Sequence, residues 1–461
     1  MYFKPSYLPY NDAAKDSVET LAEALGLSLN IKYQLVLASF LAVAKAAKEQ
    51  SFYWLSGHEN RTLQYYSHYP NVGAPVITKV RKKLLECGFI LDAHKVRIKE
   101  MKTERYTVGK KVLDGVELSE LMGFGVIENQ RYKSTNSYFV PLEMLPKTLD
   151  DAAFIDANNP YLLVNHLQTW EEKQHQEREG LPTPRLRYKE TLATFKLDYS
   201  KAVRPVKAMN AYWQQHPLYN PILKEYYAAA TRIFHNASIK SGGRWYGSWT
   251  NKSATERLNF TIDGDAVCEV DINASHPTLL SCLVSERMNI GETWTDLYHS
   301  LAVTLPHIEN ARGKIKKVFL ELIGTGNPNK REPSVDAKGN SLDKEEYLFI
   351  RDAALEMYPC LKHLNKERMN FANALSFHEA EILTTVLLQL KLLGVAAYPI
   401  HDCVLVKEEH QTLAVETLRR VFTDYIYSYQ KRNKLPYLNI NLAVSIESNT
   451  SSKVRLFGSY L

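Results

Sequence analysis

Two aspartates, Asp271 and Asp402, lie where short apolar runs end and the chain turns. Asp271 follows the run 267–270 and precedes a turn and a helix signal, whereas Asp402 lies between the apolar runs 398–400 and 403–406. Two carboxylates on neighbouring corners of a sheet can hold two divalent cations about 3.5–4 Å apart. We therefore predict that Asp271 and Asp402 are two halves of one metal site. Each acid taken alone has a simpler interpretation, as a helix cap or as a buried ion-pair partner.

A metal pair of this kind supports in-line phosphoryl displacement, because one ion activates the attacking oxygen and the other neutralises the leaving group. Two Mg²⁺ ions are the expected cofactors, since Mg²⁺ is usually held by few carboxylates together with water and substrate phosphates. Mn²⁺, which also prefers oxygen ligands, is the expected substitute.

A helix predicted over residues 307–323 carries cations and apolar residues at helical spacing. Arg312, Lys316, Phe319 and Ile323 follow one another at steps of 4, 3 and 4 residues, so they share one helix face. Two cations and an aromatic ring on one stripe are suited to bind a triphosphate and cover a base. The alternative is a helix with surface cations beside a core-facing phenylalanine.

Residues 240–247 form the main glycine cluster of the chain and include Arg244. Their spacing differs from that of a P-loop or a dinucleotide fingerprint. Arg244, among glycine and aromatic residues, is suited to contact a phosphate backbone with bases stacked nearby. A plain turn is the alternative interpretation.

The N-terminal third of the sequence contains a basic amphipathic segment. A predicted helix over residues 74–88 has an apolar face, and Arg81, Lys82 and Lys83 lie on its basic face. Predicted strands at 89–91 and 94–99 follow, and residues 125–140 would form a second hairpin. Helix and hairpin resemble a winged helix, which predicts contact with nucleic acid. A solvated helix and hairpin without a ligand is the alternative.

Composition limits the class of protein. The chain has 461 residues, 45% apolar residues and a net charge of +6, which suits two or three domains and a nucleic-acid partner. Five scattered cysteines indicate no disulfide framework and favour a reducing, cytoplasmic environment. We expect no signal peptide, because the N-terminal residues 1–5 lack the apolar core of one. We also expect no membrane span, because no apolar run reaches about 18 residues.

Periodicity predicts an α+β fold in three parts, with a winged-helix-like domain at 1–150, a helical connector at 151–235 and a catalytic region at 236–461. The pattern of the last region predicts an antiparallel sheet backed by helices. Asp263-Gly264 predicts a hairpin turn before Asp271. The other predicted elements include helices at 18–29, 33–50, 202–214, 221–234, 376–393 and 411–427 and a strand at 438–446.

The order of acidic corner, cationic helix and His-Asp hairpin resembles motifs A, B and C of the family A DNA polymerases and the related single-subunit RNA polymerases of phages and mitochondria. Residues 270–276 resemble motif A, 312–324 motif B and 400–402 motif C. The glycine cluster lies where that family has a Gly-Arg element touching the template-primer duplex. The resemblance covers about residues 230–450 and implies a polymerase-like right hand with an antiparallel palm and helical fingers and thumb.

This resemblance also implies the roles of particular residues. Asp271, the carbonyl of Ile272 and Asp402 would bind the metals. Arg312 and Lys316 would bind the incoming triphosphate, and Lys316 would also protonate the leaving pyrophosphate.

The same resemblance implies the residues around the nucleotide and the duplex. Phe319 and His276 would border the nucleotide. His401 and Arg244 would face the primer or template backbone.

The chain departs from the family pattern at several positions. The step from Lys316 to Gly324 is one residue short, and Ile323 replaces a tyrosine. His276 replaces the glutamate that blocks a ribose hydroxyl in DNA polymerases, and Cys403 replaces a glutamate after the motif C aspartate. The sugar preference is therefore open, and the short segments between motifs indicate reduced fingers.

The sequence thus predicts a template-directed nucleotidyltransferase, with DNA template, primer and nucleoside triphosphates as partners. A DNA polymerase without a proofreading exonuclease is the first hypothesis, since residues 1–230 lack an acidic exonuclease pattern. RNA synthesis or priming on the same palm is the second. A non-catalytic replication initiator, or a metal-dependent nuclease using the same acids, is the alternative from another class.

Overall fold

The computed structural model describes residues 3–47, 52–55, 66, 68–92, 135–151, 153–178, 183–285, 297–335, 340–364, 371–438, 440, 442–449 and 454–456. The fold is mixed α and β with mainly antiparallel sheets. It divides into two compact units, Met1–Pro160 with Lys224–Tyr226, and Tyr161–Leu223 with Tyr227–Leu461. The sequence predicted three parts with boundaries at residues 150 and 235, whereas the structure divides into two units.

The first unit contains three α-helices and five short strands among its described residues. The helices are α1 (Asp12–Ala24), α2 (Ile31–Ala47) and α3 (Ala74–Glu86), and the strands are β1 (Tyr7–Pro9), β2 (Phe52–Leu55), β3 (Leu91–Asp92), β4 (Thr135–Phe139) and β5 (Phe154–Asp156). α1 begins before the predicted residue 18, because the Asn11 side chain accepts a hydrogen bond of 2.8 Å from the N–H of Ala14. The core surrounds α2, whose residues 35–41 are all buried.

Strands β2, β4 and β3 form an antiparallel sheet in that order, and α3 precedes β3 in the chain. The helix has the predicted apolar face, with Ile77, Val80 and Leu84 buried. Gly88 adopts a φ of 78° just beyond the helix end, the left-handed conformation in which glycine commonly terminates a helix. Residues 93–134, which include most of the predicted basic hairpins, lie outside the described residues.

The second unit contains nine helices and ten strands among its described residues, together with β8 (Glu225–Tyr227) at its boundary. The helices are α4 (Trp170–Arg178), α5 (Tyr188–Trp213), α6 (Ala254–Arg257), α7 (Ser275–Val284), α8 (Leu297–Thr304), α9 (Ala311–Thr325), α10 (Lys344–Met357), α11 (Phe371–Leu392) and α12 (Gln411–Asn433). The strands are β6 (Leu162–Val164), β7 (Leu218–Asn220), β9 (Ala230–Phe234), β10 (Gly242–Gly247), β11 (Thr261–Ile262), β12 (Asp265–Ile272), β13 (Ala397–Ile400), β14 (Cys403–Lys407), β15 (Val444–Ser448) and β16 (Val454–Leu456).

β12 lies at the centre of the main antiparallel sheet. It pairs with β14 along one edge and with β11 and then β15 along the other. The predicted hairpin turn is confirmed, because Asp263 and Gly264 have φ values of 53° and 89° and join β11 to β12. The hairpin of β13 and β14 is also confirmed, with residues 401–402 in its turn.

The helix predicted over residues 221–234 is wrong. This segment instead forms β8 and β9. The Asn220 side chain accepts hydrogen bonds from the N–H groups of Ile222 (3.0 Å) and Leu223 (3.2 Å), which fixes a turn there. The following aromatic and β-branched residues then suit strands better than a helix.

A cluster of aromatic side chains anchors the β13–β14 hairpin. Trp213 and Trp249 donate their indole N–H groups to the carbonyl oxygens of Ala397 and Pro399, each at 2.9 Å. Trp213 also stacks on Tyr398 with ring centroids 5.0 Å apart. These contacts fix the hairpin that carries Asp402.

All five cysteines are free. In the part of the chain that the structure describes, no helix combines the length and the apolar character that crossing a bilayer requires.

Candidate active site

Asp271 and Asp402 lie at the same end of two neighbouring antiparallel strands. In the β12–β14 pair, Asp271 is directly opposite Cys403. The main-chain N–H of Ile272 donates a hydrogen bond of 3.2 Å to the carbonyl oxygen of Asp402. The two aspartates are therefore adjacent, as the strand corners predicted, whereas their metal-binding role remains a prediction.

The pKa of the Cys403 thiol depends on the carboxylates around it. Burial raises the pKa of this thiol, and the negative charges of Glu269, Asp271 and Asp402 raise it further. Glu269 is compensated, since Arg257 donates a hydrogen bond of 2.6 Å to it. Asp271 and Asp402 therefore share one electrostatic environment with a neutral, buried neighbour.

Asp402 is an acid with a strongly perturbed proton affinity. Burial raises the pKa of its carboxyl group to about 7, and the negative charge of Glu379 contributes. The charges of Arg244 and Lys316 act in the opposite direction. The structure thus brings two predicted cationic residues within electrostatic reach of Asp402.

Glu379 of α11 is a site residue that the sequence interpretation missed. Its side chain is 1% exposed and accepts hydrogen bonds of 2.7 Å from the Ser275 hydroxyl and from Nε of Arg244. Burial raises the pKa of Glu379, whereas Arg244 and Ser275 lower it. Its position could have revealed it, because a glutamate four residues from both Leu375 and Leu383 lies on the apolar face of the helix.

Arg244 lies on β10 just after a bulge. The register of the β9–β10 pair shifts between Gly242 and Arg244, and Gly242 and Gly243 have φ values of 77° and 78°. A Cβ on Gly243 would lie 2.6 Å from the ring of Phe234. The glycines are thus required by a strand bulge and not by a plain turn, and Arg244 is directed towards Glu379.

His276 lies in the first turn of α7, beside Arg244. An Nη of Arg244 is 3.0 Å from Nε2 of His276, while Glu379 and Ser376 are each 3.5 Å from the same atom. Burial and then the Arg244 charge lower the pKa of His276 to about 3, so the imidazole is neutral at pH 7.

Neither Ser275 nor His276 caps the start of α7. The N-cap is Ala274 in the left-handed conformation, without a side-chain cap. The Ser275 hydroxyl is instead hydrogen-bonded to Glu379. Pro277 lies in the first turn of α7, a position that suits proline.

The cationic helix α9 extends over Ala311–Thr325. The four residues predicted to share one face of it differ in exposure. Lys316 is exposed and Arg312 is half-buried, with its guanidinium 5.8 Å from the ring centroid of Tyr298. Phe319 is 1% exposed and packs between Tyr298 and Tyr358, at centroid distances of 5.5 and 5.3 Å. A base could reach the Phe319 ring only after these neighbours moved.

His401 lies in the turn between β13 and β14 with a φ of 56°. Its ring makes an edge contact with Tyr246 at 5.9 Å between centroids. Burial lowers the pKa of His401 to about 4, and the charges of Arg244 and Arg257 add to this effect. Nδ1 of His401 is buried and has no hydrogen-bond partner among the described residues, so a neutral polar group adjoins Asp402.

The N-terminal basic residues lie on α3 of the first unit. Lys82 is exposed, and Arg81 and Lys83 are half-buried. Lys82 and Lys83 form ion pairs with Glu86 at 3.6 and 3.9 Å, a type of surface pair that contributes little stability. Their predicted contact with nucleic acid stays a prediction.

The donor set is compatible with magnesium. Among the described residues, no group of three or more His, Cys, Asp or Glu side chains is placed to hold a metal ion. Asp271, Asp402 and the Ile272 carbonyl would therefore need water and substrate phosphates to complete the coordination, which is how Mg²⁺ is usually bound. Burial and the negative charge of Glu379 raise the pKa of Asp402. A cation bound at this position would offset that negative charge.

No family model and no curated protein matches the chain. Among solved structures, the POL domain of Pol1 from M. smegmatis in complex with DNA primer-template and dNTP matches with 12% identity and a TM-score of 0.32, over 96% of this chain and 79% of that chain. A similarity of this degree establishes neither the fold nor the activity of this chain.

Proposed function

We propose that this chain is a template-directed nucleotidyltransferase, with DNA polymerase activity as the first hypothesis. The observation that carries the proposal is the adjacency of Asp271 and Asp402, fixed by the register of β12 and β14. Phosphoryl transfer requires charge stabilisation and positioning more than covalent chemistry from the protein. Two carboxylates at one sheet corner, faced by basic side chains, provide the corresponding groups.

Asp271, Asp402 and the carbonyl of Ile272 would hold two Mg²⁺ ions. Such ions, when bound, activate an attacking oxygen and stabilise the charge on the leaving group. Lys316 is exposed and acts on Asp402 through its charge, which supports the proposal that it would bind the triphosphate and protonate the departing pyrophosphate. Arg312, one turn earlier on α9, would hold the same phosphates from the side.

Each unit, taken by itself, has basic side chains that would contact nucleic acid. In the second unit, Arg244 and His401 border the acidic corner and would face the primer or template. In the first unit, Arg81, Lys82 and Lys83 of α3 would supply positive charge for a phosphate backbone. In both units, contacts to the phosphate backbone would not depend on the nucleotide sequence.

The experiment that tests the proposal is extension of a labelled primer on a DNA template with Mg²⁺, using dNTPs and NTPs in separate reactions. We expect extension by the native chain and its loss in Asp271→Ala and Asp402→Ala, both of which should still bind DNA. Extension with NTPs, or without a primer, would instead assign the RNA polymerase or primase activity to the same residues.

Three results would contradict the proposal. Shortening of the primer that depends on Asp271 and Asp402 would show a nuclease. Tight DNA binding by the native chain without any change in primer length under all metal and nucleotide conditions would show a non-catalytic DNA-binding protein. Extension unchanged in either alanine variant would exclude the assigned residues.

A further inference from the structure

One buried carboxylate connects three elements around the candidate active site. Glu379 of α11 is hydrogen-bonded to Arg244 of β10 and to Ser275 at the start of α7. A carboxylate that is 1% exposed and bonded on both oxygens has a fixed orientation. The guanidinium that it holds is therefore fixed as well.

The fixed guanidinium determines where His276 carries its proton. Arginine has no acceptor and donates in all its hydrogen bonds. In the contact of 3.0 Å with Arg244, Nε2 of His276 must therefore be the acceptor and must lack a proton. The Glu379 carboxylate would favour a proton on Nε2, but it lies farther away, at 3.5 Å.

A neutral imidazole with a bare Nε2 has its hydrogen on Nδ1. Among the described residues no acceptor contacts Nδ1 of His276, and this atom does not belong to the fully buried polar atoms without a partner. The His276 side chain retains 15% of its exposure. The Nδ1–H donor is thus without a partner among the described residues, on a partly exposed side chain five residues after Asp271.

We infer that Glu379 is a positioning residue that acts through Arg244 to fix the proton of His276 on Nδ1, so that this N–H donates to an oxygen acceptor of the bound nucleotide. This inference rests on the proposed function for its ligand, whereas the proton position is a property of the free protein. A hydroxyl or carbonyl oxygen of a nucleotide is the chemical class of acceptor that such a donor fits.

Long-range ¹⁵N–¹H correlation spectra of the protein labelled with ¹⁵N-histidine test the inference without any substrate. The His276 signals are assigned by their loss in His276→Gln. We expect a neutral ring protonated on Nδ1 at pH 7 in the native chain. Protonation of Nε2, or a charged ring, would overturn the inference.

Two substitutions test the chain of contacts. Glu379→Ala should release Arg244 and mix the two tautomers of His276, and Arg244→Met, which has no hydrogen-bond donor, serves the same purpose where Glu379→Ala fails to fold. Glu381→Gln is the matched control, because Glu381 lies on the same helix and pairs with Arg232 at 2.8 Å. An unchanged tautomer in Arg244→Met, or in a folded Glu379→Ala, would contradict the assigned role.

Primer extension separates this inference from the proposed function. We expect Glu379→Gln, which keeps an oxygen for Arg244, to raise the KM for the nucleoside triphosphate about tenfold with less effect on kcat. If the native chain does not extend primers, the proposed function is wrong, and the spectra alone then decide where His276 carries its proton. If the native chain does extend primers and Glu379→Ala has a normal KM, only the positioning role of Glu379 is wrong.

Discussion

Asp271 lies directly opposite Cys403 across β12 and β14, so the residue before that cysteine, Asp402, is held beside Asp271 by the register of the sheet. A shift of one residue between these strands would place the Asp271 side chain on the other face of the sheet. The acidic corner is therefore a property of strand pairing, and the buried hairpin that carries Asp402 maintains it.

The first prediction concerns Asp402→Asn, which keeps the size of the side chain and removes its charge. We expect primer extension to fall roughly 10³-fold, because a metal ligand of this type contributes several kcal/mol to the transition state. The folded protein should be at least as stable as the native chain at pH 8, because burial raises the pKa of Asp402 to about 7 and the site therefore disfavours the charged carboxylate.

Single-turnover extension and thermal unfolding measure these two effects. Asp265→Asn is the control, because Asp265 lies at the other end of β12 and pairs with Lys407 at the surface. Full activity in Asp402→Asn, or equal losses in both variants, would contradict the assignment.

The strand corners could be predicted from sequence because their signals are local. Asp263-Gly264 specifies a tight turn, and apolar runs on each side of residues 401–402 specify a hairpin. Antiparallel pairing then brings the two corners together. The central sheet follows from such patterns, as do the helices that begin near residues 31, 74 and 411.

Other features depend on interactions between distant parts of the chain and could not be predicted. Glu379 meets Ser275 across 104 residues and Arg244 across 135, and no local pattern selects those partners. The burial of Phe319 depends on Tyr298 and Tyr358, which belong to other elements. Spacing along α9 showed which residues share a face, but not which of them the neighbours cover.

The second prediction concerns the bulge that precedes Arg244. Gly243→Ala should destabilise the protein by about 2–4 kcal/mol, because it combines an unfavourable φ of 78° with a Cβ 2.6 Å from Phe234 and 2.9 Å from Arg232. Denaturant unfolding measures the decrease in unfolding free energy.

Gly264→Ala provides the matched control for this bulge. Gly264 has a φ of 89°, but a Cβ there would have no atom within 4 Å, so only backbone strain of about 1–2 kcal/mol should appear. Equal decreases in the two variants would show that packing against Phe234 adds nothing.

The third prediction concerns the pH dependence of stability at His378, which lies 2.8 Å from the Tyr425 hydroxyl. Burial lowers the pKa of His378 to about 4 in the folded chain, whereas an unfolded histidine titrates near about 6.5. The unfolded state therefore binds the proton first, and stability is lost as the pH falls below about 6.5.

Between pH 7 and pH 5 the native chain should lose about 2 kcal/mol more unfolding free energy than His378→Asn, which cannot take up the proton. Urea unfolding at both pH values measures this difference. His299→Asn, at an exposed position on α8, should follow the native curve. A His378→Asn curve parallel to the native one would contradict the buried, neutral assignment.

The fourth prediction concerns the cationic face of α3. Replacing Arg81, Lys82 and Lys83 together by glutamine should weaken duplex binding and make its salt dependence shallower, by a slope of about 0.9 for each phosphate that the protein no longer neutralises. Fluorescence anisotropy with the full chain measures this slope between about 50 and 200 mM salt, a range over which electrostatic binding to DNA weakens steeply.

A triple variant of Lys15, Lys189 and Lys201, which are exposed on other helices, controls for the loss of three positive charges in this experiment. Because these three lysines lie on α1 and α5, their replacement by glutamine should leave the salt dependence close to that of the native chain. If the α3 variant and the control both show the native slope, the DNA-binding role of this helix is wrong.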